Sequence, residues 1–254
     1  MGTDLATTLV TDEYTRVRLG PRPKDYLYLH LSDLRSALGL AATEHYTKIL
    51  DFGCGGSPYR SLFPCEAYHR ADFVKVAGID FMVSEDSLVP DAQSEAYDLV
   101  LSTQVLEHLS SPTNYLQESA RVLKPGGTLV LTTHGTFPEH GVPYDYQRWT
   151  SDGLRRLVAQ TGFEDIQILK MTTGPRAVMQ LAEDYWVRFR EAARGPKNLF
   201  WKLLDRFFIA QTERRNLWMD KHFPECRLAK VKAGDGNSLY IGLYLTARKP
   251  AARH

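Results

Sequence analysis

The sequence predicts an α/β fold with a mostly parallel sheet that helices cover on both faces. Apolar runs at 47–52, 97–102 and 128–133 have the length of buried strands. Helical patterns at 112–123 and 150–159 alternate with these runs, which favours helical crossovers between parallel strands. The 254 residues, 43% of them hydrophobic, suffice for one large domain of this kind with an elaboration.

An N-terminal helical extension is predicted over residues 1–44, ahead of the first strand. One face of its helix is formed by leucines at helical spacing, and Gly39 can end the helix. The leucines are Leu27, Leu31, Leu34 and Leu38. The core is then predicted over residues 45–171 and the last strand with its tail over residues 237–254.

A helical insertion, residues 172–236, is predicted between the last two strands. Part of it places large apolar side chains on one helix face: Leu199, Phe200, Leu203, Leu204, Phe207 and Phe208. This stripe could pack on the core, form a homodimer interface or close over an acceptor. Membrane-surface docking is a weaker alternative, because Asp205 and Glu213 interrupt the neighbouring basic residues.

The first core strand leads into a glycine-rich turn, ILDFGCGGS, at residues 49–57. Glycines in such a turn allow positive φ and let a ligand approach the backbone closely. Ser57 suits a helix N-cap and Pro58 suits the first helical position, so a helix is expected to begin here. The N–H groups of that helix start would attract a carboxylate or a phosphate.

The turn fits neither of two common nucleotide motifs. Counting from Gly53, the third glycine of G-x-G-x-x-G would fall on Pro58, which disfavours a nicotinamide dehydrogenase, and the Gly-Lys-Ser/Thr end of a P-loop is missing. The string D-x-G-C-G instead resembles motif I of the class I S-adenosylmethionine-dependent methyltransferases. Many members of that family have a glycine where this chain has Ser57.

Three further segments resemble the same family in the right order. Asp72 ends the second strand, where the family has an acidic residue for the ribose hydroxyls, and a carboxylate can accept both hydrogen bonds of a diol. The segments YDLVLSTQVLEHL (97–109) and RVLKPGGTLVLTT (121–133) follow. In them Glu107 and His108 are interpreted as mainly structural.

The resemblance implies a Rossmann-like, doubly wound sheet of seven strands, with S-adenosylmethionine as the cofactor. It also implies a set of cofactor-binding residues, of which the adenine-site pair Ser84 and Glu85 has the weakest support. The set is Asp51, Gly53, Cys54, Gly55, Asp72, Phe73, Ser84, Glu85 and Gln104.

The loop after the fifth strand, residues 134–150, is the most promising segment for a general base and for residues that bind the methyl acceptor. Its pattern resembles that of some bacterial methyltransferases of small molecules and glycans. His140 is the first choice for a general base and His134 the second. Tyr144, Asp145 and Arg148 are assigned to the acceptor, and the last two could instead brace the loop. No metal is predicted, because His134, Glu139 and His140 have no recognised ligand spacing.

The predicted function is methyl transfer to a hydroxyl or amine of a small molecule, with a sugar or glycan precursor as one candidate. The alternative is a non-catalytic, methyltransferase-like scaffold that binds the cofactor or a partner. A formal net charge of +1 argues against nucleic acid. Three cysteines without C-x-x-C spacing favour reduced thiols in the cytoplasm, and no apolar run reaches the roughly 18 residues of a membrane span.

Overall fold

In the computed structural model of the protein, the described residues are 11–84, 89–90, 93–140, 144–192, 199–231 and 239–251. They contain one sheet of eight strands. The strands are β1 (Tyr46–Phe52), β2 (Cys65–Asp72), β3 (Phe81–Met82), β4 (Tyr97–Thr103), β5 (Leu123–His134), β6 (Glu164–Thr173), β7 (Leu228–Lys230) and β8 (Tyr240–Arg248).

The spatial order of the strands is β3-β2-β1-β4-β5-β8-β6-β7. Strands β1 to β5 pair in parallel, whereas β8 runs antiparallel to both β5 and β6 and β7 runs antiparallel to β6. The predicted mostly parallel α/β fold is confirmed, with eight strands instead of seven. The additional strand is β7, whose three residues are too few to show a strand pattern within the predicted helical insertion.

Seven α-helices are described. They are α1 (Asp12–Leu19), α2 (Tyr28–Ala41), α3 (Pro112–Val122), α4 (Ser151–Gln160), α5 (Gly174–Ala192), α6 (Leu199–Asp205) and α7 (Thr212–His222), and a π-helical turn (Arg206–Ala210) joins the last two. Thr150 caps α4 as predicted, accepting a hydrogen bond from the Gly153 N–H.

Helices pack on both faces of the sheet. Side chains of α3 and α4, such as Leu116 and Leu154, are buried with Leu50 and Leu131 on one face. The opposite face is covered by α2, the helix predicted in the N-terminal extension. That helix begins only at Tyr28, because Leu27 has a φ of 60°, and it continues past Gly39 to bury Ala41.

The helix predicted to begin at Ser57 and Pro58 is wrong. Ser57 has a φ of 51°, whereas an N-cap residue is extended, and its Oγ accepts a hydrogen bond from Arg70 Nε at 2.8 Å. A single 3₁₀ turn, Arg60–Leu62, follows instead. Ser57 thus takes a left-handed conformation of the kind that favours glycine.

The insertion is anchored to the core through buried charges. Arg176 at the start of α5 is fully buried and donates to both carboxylate oxygens of Asp33 in α2, at 2.7 and 3.1 Å. It also donates to Asp220 in α7, at 2.8 Å. Because this network joins α2, α5 and α7, the insertion packs as part of the same structure as the sheet.

The aromatic stripe of the insertion is only partly covered. The ring of Trp201 lies 5.4 Å from that of Trp186 on α5, and the ring of Phe208 lies 6.1 Å from the same indole. Phe200 and Phe207 remain 64% and 45% exposed. The stripe therefore does not pack on the core as a whole.

Cys54, Cys65 and Cys226 are free thiols in the structure, in agreement with the predicted absence of disulfides. Across the part of the chain that the structure describes, no helix combines the length and the apolar character needed to cross a bilayer.

Candidate active site

The glycine turn lies at the carboxyl end of β1, where parallel sheets bind ligands. Gly53 and Gly55 have φ values of 76° and 48°. A Cβ on Gly53 would lie 2.5 Å from Cγ2 of Val105, so a larger residue would have to displace that side chain. The turn is therefore closely packed against the segment that follows β4.

Asp72 ends the neighbouring strand β2 and is 4% exposed. One of its carboxylate oxygens accepts the N–H of Gly55 at 2.6 Å and the other accepts the N–H of Val74 at 2.9 Å. Burial raises the pKa of this carboxyl group, and the backbone N–H groups partly oppose that rise. The carboxylate is thus held rigidly beside the glycine turn.

A cleft of about 320 Å³ opens beside Asp72. Its walls are mainly apolar, with Phe73 and Val83 after β2 and β3 and Leu109 after β4. The remaining lining residues are Phe52, Gly53, Ser84, Val105, His108, Ser110, Ser111, Asn114, Tyr115, Glu118, Tyr144 and Tyr146. The structure thus brings Gly53, Asp72, Phe73 and Ser84 together, as predicted from the sequence; Glu85 lies outside the described residues.

Asp51, Cys54, Gly55 and Gln104 are near the cleft but do not line it. The Asp51 side chain turns to the opposite face of the sheet, where it accepts a hydrogen bond from Tyr68 at 2.8 Å, and burial raises its pKa to about 6. The Gln104 backbone has a φ of 56°, and its side-chain amide donates to Thr132. Alternation of side chains along a strand explains why Asp51 faces away.

Four histidines meet where β4 and β5 end. The ring centroid of His140 lies 5.0 Å from those of both His134 and His108, and His30 of α2 lies 5.4 Å from His134. His134 is 4% exposed and stacks on Phe137, whereas the side chain of His140 is 24% exposed. Only His140 of the two predicted bases therefore keeps substantial access to solvent.

Glu107 lies at the centre of this cluster and is fully buried. Thr133 donates a hydrogen bond to its Oε2 at 2.8 Å, while its Oε1 lies 3.4 Å from His134 Nε2. Burial raises the pKa of Glu107 and lowers that of His134. The sequence led to an interpretation of Glu107 as mainly structural, and the distance between Glu107 and His134 in the chain gives no signal of this contact.

Asp145 and Arg148 brace the acceptor loop. Asp145 accepts the backbone N–H of His140 at 2.9 Å and lies 3.2 Å from its Nδ1. Arg148 binds both oxygens of Asp145, which lowers the pKa of that carboxyl group to about 2, and also donates to the backbone oxygen of Phe137. Tyr144 instead extends to the cleft wall, stacked at 5.6 Å on Tyr146.

The strand order differs from that of a dinucleotide-binding sheet. A dinucleotide-binding sheet has the order 3-2-1-4-5-6, whereas here the reversed strand β8 separates β5 from β6. The sequence model of a protein family described as "Methyltransferase domain" matches residues 23–168 of this chain. The chain belongs to this methyltransferase family.

Curated methyltransferases match the same region. A protein of Mycobacterium tuberculosis, named as a probable S-adenosylmethionine-dependent methyltransferase, is 28% identical over an alignment of 148 residues. The match covers 50% of this chain and 53% of that protein. A ubiquinone biosynthesis O-methyltransferase of Xanthomonas oryzae is 35% identical over an alignment of 106 residues. That match covers 36% of this chain and 44% of that protein. The chain thus spans about half the length of the curated relatives that it matches.

A solved structure shares the fold over nearly the whole chain. It is a S-adenosylmethionine-dependent methyltransferase of Thermotoga maritima, described as a possible histamine N-methyltransferase. It has a TM-score of 0.55 at 15% identity and covers 94% of this chain and 95% of its own. The family match confirms the predicted methyltransferase family, and the solved structure agrees with the predicted fold.

Proposed function

We propose that the chain transfers a methyl group from S-adenosylmethionine to a hydroxyl group of a small molecule. The observation that supports this most is the position of the histidine cluster: His108 belongs both to the wall of the cofactor cleft and to the ring contacts of His140. A site that can take a proton from an acceptor therefore adjoins a site that fits the cofactor.

The described residues fit the cofactor. The buried Asp72 carboxylate lines the cleft and can accept hydrogen bonds from a ribose diol, and Phe73 and Val83 offer apolar surface for an adenine ring. Gly53 presents bare backbone to the same cleft. When bound, S-adenosylmethionine supplies a methyl group on a positively charged sulfur. The protein's task is to align the acceptor and exclude water, which can contribute roughly 7–11 kcal/mol.

His140 is proposed to assist removal of the proton from the acceptor hydroxyl. Its ring is oriented by Asp145 and reaches solvent, whereas the ring of His134 is enclosed. Because burial lowers the pKa of His140, its imidazole is neutral at pH 7. The ubiquinone biosynthesis relatives are named as O-methyltransferases, which also favours a hydroxyl over an amine.

A narrower acceptor class is a sugar or glycan precursor. Tyr144 and Tyr146 stack at the rim of the cleft, and both are more than half exposed. Exposed tyrosine rings suit an acceptor that has both apolar faces and polar edges. The formal net charge of +1 is consistent with such a molecule and disfavours a nucleic acid. The free cysteines support action in the cytoplasm, and the exposed side of the insertion supports a homodimer.

The proposal predicts that S-adenosylhomocysteine binds and that NAD does not. Isothermal titration calorimetry of the purified chain should give one site for S-adenosylhomocysteine and little heat with NAD. Turnover is then measured as release of S-adenosylhomocysteine across a panel of sugars, phenols and amines. Methylation restricted to amines would contradict the hydroxyl acceptor. Binding without turnover on any acceptor would instead support the scaffold alternative.

Asp72→Ala is expected to weaken S-adenosylhomocysteine binding by roughly 10- to 150-fold, because charge-assisted hydrogen bonds are worth about 1.5–3 kcal/mol. Calorimetry measures the effect, and circular dichroism verifies that the variant folds. Asp152→Ala is the matched control, since Asp152 is exposed on α4. An unchanged dissociation constant in folded Asp72→Ala would show that this carboxylate does not bind the ribose.

A further inference from the structure

We infer that Glu107, His134 and His140 form a binding site for a divalent transition-metal ion such as Zn²⁺. Each residue offers one ligand atom, and these atoms lie within 4.8 Å of one another. The site differs from the His134, Glu139 and His140 set considered from the sequence. Glu139 is exposed, and the buried Glu107 takes its place.

The distance between Glu107 and His134 suits two ligands of one ion. Their Oε1 and Nε2 atoms are 3.4 Å apart. That separation exceeds the roughly 3.2 Å limit of a normal N–H···O hydrogen bond. Two ligands about 2.0–2.1 Å from a tetrahedral zinc would lie roughly 3.3–3.4 Å apart. Among the described residues, Glu107 Oε1 has no hydrogen-bond donor, although it is buried.

Neighbouring residues fix the orientation of two of the three ligand side chains, His140 and Glu107. His140 Nδ1 lies 3.2 Å from Asp145 Oδ2, which leaves its Nε2 for a metal. A carboxylate behind a histidine is the usual outer partner of a metal ligand. Thr133 similarly holds Oε2 of Glu107 and so directs Oε1 towards His134. These contacts pre-organise the ligands without occupying the atoms that would bind the ion.

The donor set indicates the class of metal. Two imidazoles and one carboxylate are typical of catalytic zinc sites, which keep a further coordination position for water or substrate. Imidazole ligands also disfavour Ca²⁺ and Mg²⁺, which prefer oxygen. Glu107 contributes one negative charge, and the nearby cation of Arg148 is already paired with Asp145. Hence the cluster can accept a divalent cation without another buried cation beside it.

The inference deepens the proposed function and rests on it for the chemistry, though not for the binding of the ion. An acceptor hydroxyl bound to the ion would lose its proton to water more easily, because the cation stabilises the alkoxide. The oxygen then forms a bond to the methyl carbon as the carbon–sulfur bond breaks. The bonding electrons stay on sulfur, so the donor leaves as a neutral thioether. His140 would thus assist proton removal as a metal ligand.

The test is Zn²⁺ binding to full-length protein that has been stripped with a chelator. Calorimetry and metal analysis are expected to give one ion per chain. Glu107→Gln and His140→Asn should each weaken binding by more than about 100-fold, since even outer-shell changes cost 10- to 100-fold. His45→Asn and Glu164→Gln are matched controls on exposed residues and should bind like the natural chain. Thermal denaturation without metal verifies folding.

Two outcomes would overturn the site. One is that the natural chain binds no stoichiometric Zn²⁺; the other is that folded His140→Asn binds Zn²⁺ with the same affinity as the natural chain. His140 lies in a loop, so this variant remains informative if Glu107→Gln fails to fold. Turnover is measured separately with and without chelator. Methyl transfer by metal-free protein would reject a role of the metal in the reaction and retain the proposed function. Zn²⁺ binding without methylation of any acceptor would do the reverse.

Discussion

His140→Ala is expected to lower turnover by about 100- to 10,000-fold while S-adenosylhomocysteine affinity changes only a few-fold. Loss of assistance to proton transfer typically has this magnitude. His140 does not line the cofactor cleft, and its contacts are with the acceptor loop and the other histidines. Turnover is followed as S-adenosylhomocysteine release with the best hydroxyl acceptor, and cofactor affinity is followed by calorimetry.

His45→Ala provides the control, because His45 is exposed and lies at the amino end of β1, whereas the site lies at the carboxyl ends of the strands. It should keep the turnover of the natural chain. Near-normal turnover of His140→Ala from pH 6 to 9 would show that His140 does not assist removal of the proton. A parallel loss of cofactor affinity would mean that the loop supports the cleft instead of the chemistry.

Arg176→Met is expected to lower the free energy of unfolding by about 3–5 kcal/mol, the usual cost of breaking a buried ion pair. The substitution removes both Arg176 donors from Asp33, which is 0% exposed. Its buried carboxylate is left with hydrogen bonds from Ser32, Thr172 and Arg227. It also removes the link to Asp220. Urea denaturation followed by circular dichroism measures the change.

Lys124→Met is the matched control, because Lys124 forms a partly exposed ion pair with Asp98. Such pairs are usually worth below about 1 kcal/mol. A similar small loss in Arg176→Met would show that the buried network contributes little to stability. In that case the attachment of the insertion would depend on apolar packing alone.

The sheet could be predicted well because its central strands are continuous apolar runs. The order of motifs also placed Asp72 beside the glycine turn, and the structure gives that contact as a 2.6 Å hydrogen bond. The prediction of a helix after the turn was wrong because the backbone of Ser57 is left-handed. In that conformation the Ser57 side chain accepts a hydrogen bond from Arg70 of the next strand. Local sequence cannot show that partner.

The loop at residues 134–150 was predicted to be chemically important, but its contact with Glu107 could not be predicted. Glu107 follows β4, and His134 ends β5, so the two meet only because those strands are neighbours in the sheet. Similarly, the spacing of Asp145 and Arg148 could not show whether they bind the acceptor or brace the loop. Their mutual ion pair depends on how the loop folds back on itself.

The pairing of Asp33 with Arg176 has a consequence for biosynthesis. The two residues are 143 positions apart in the chain, and Asp220 comes later still. A growing polypeptide is made from its N-terminus, so α2 emerges long before the cation that neutralises its buried carboxylate exists. We therefore expect α2 to settle on the sheet late, after most of the chain has been translated. Truncated nascent chains that end before residue 176 should leave this helix sensitive to protease.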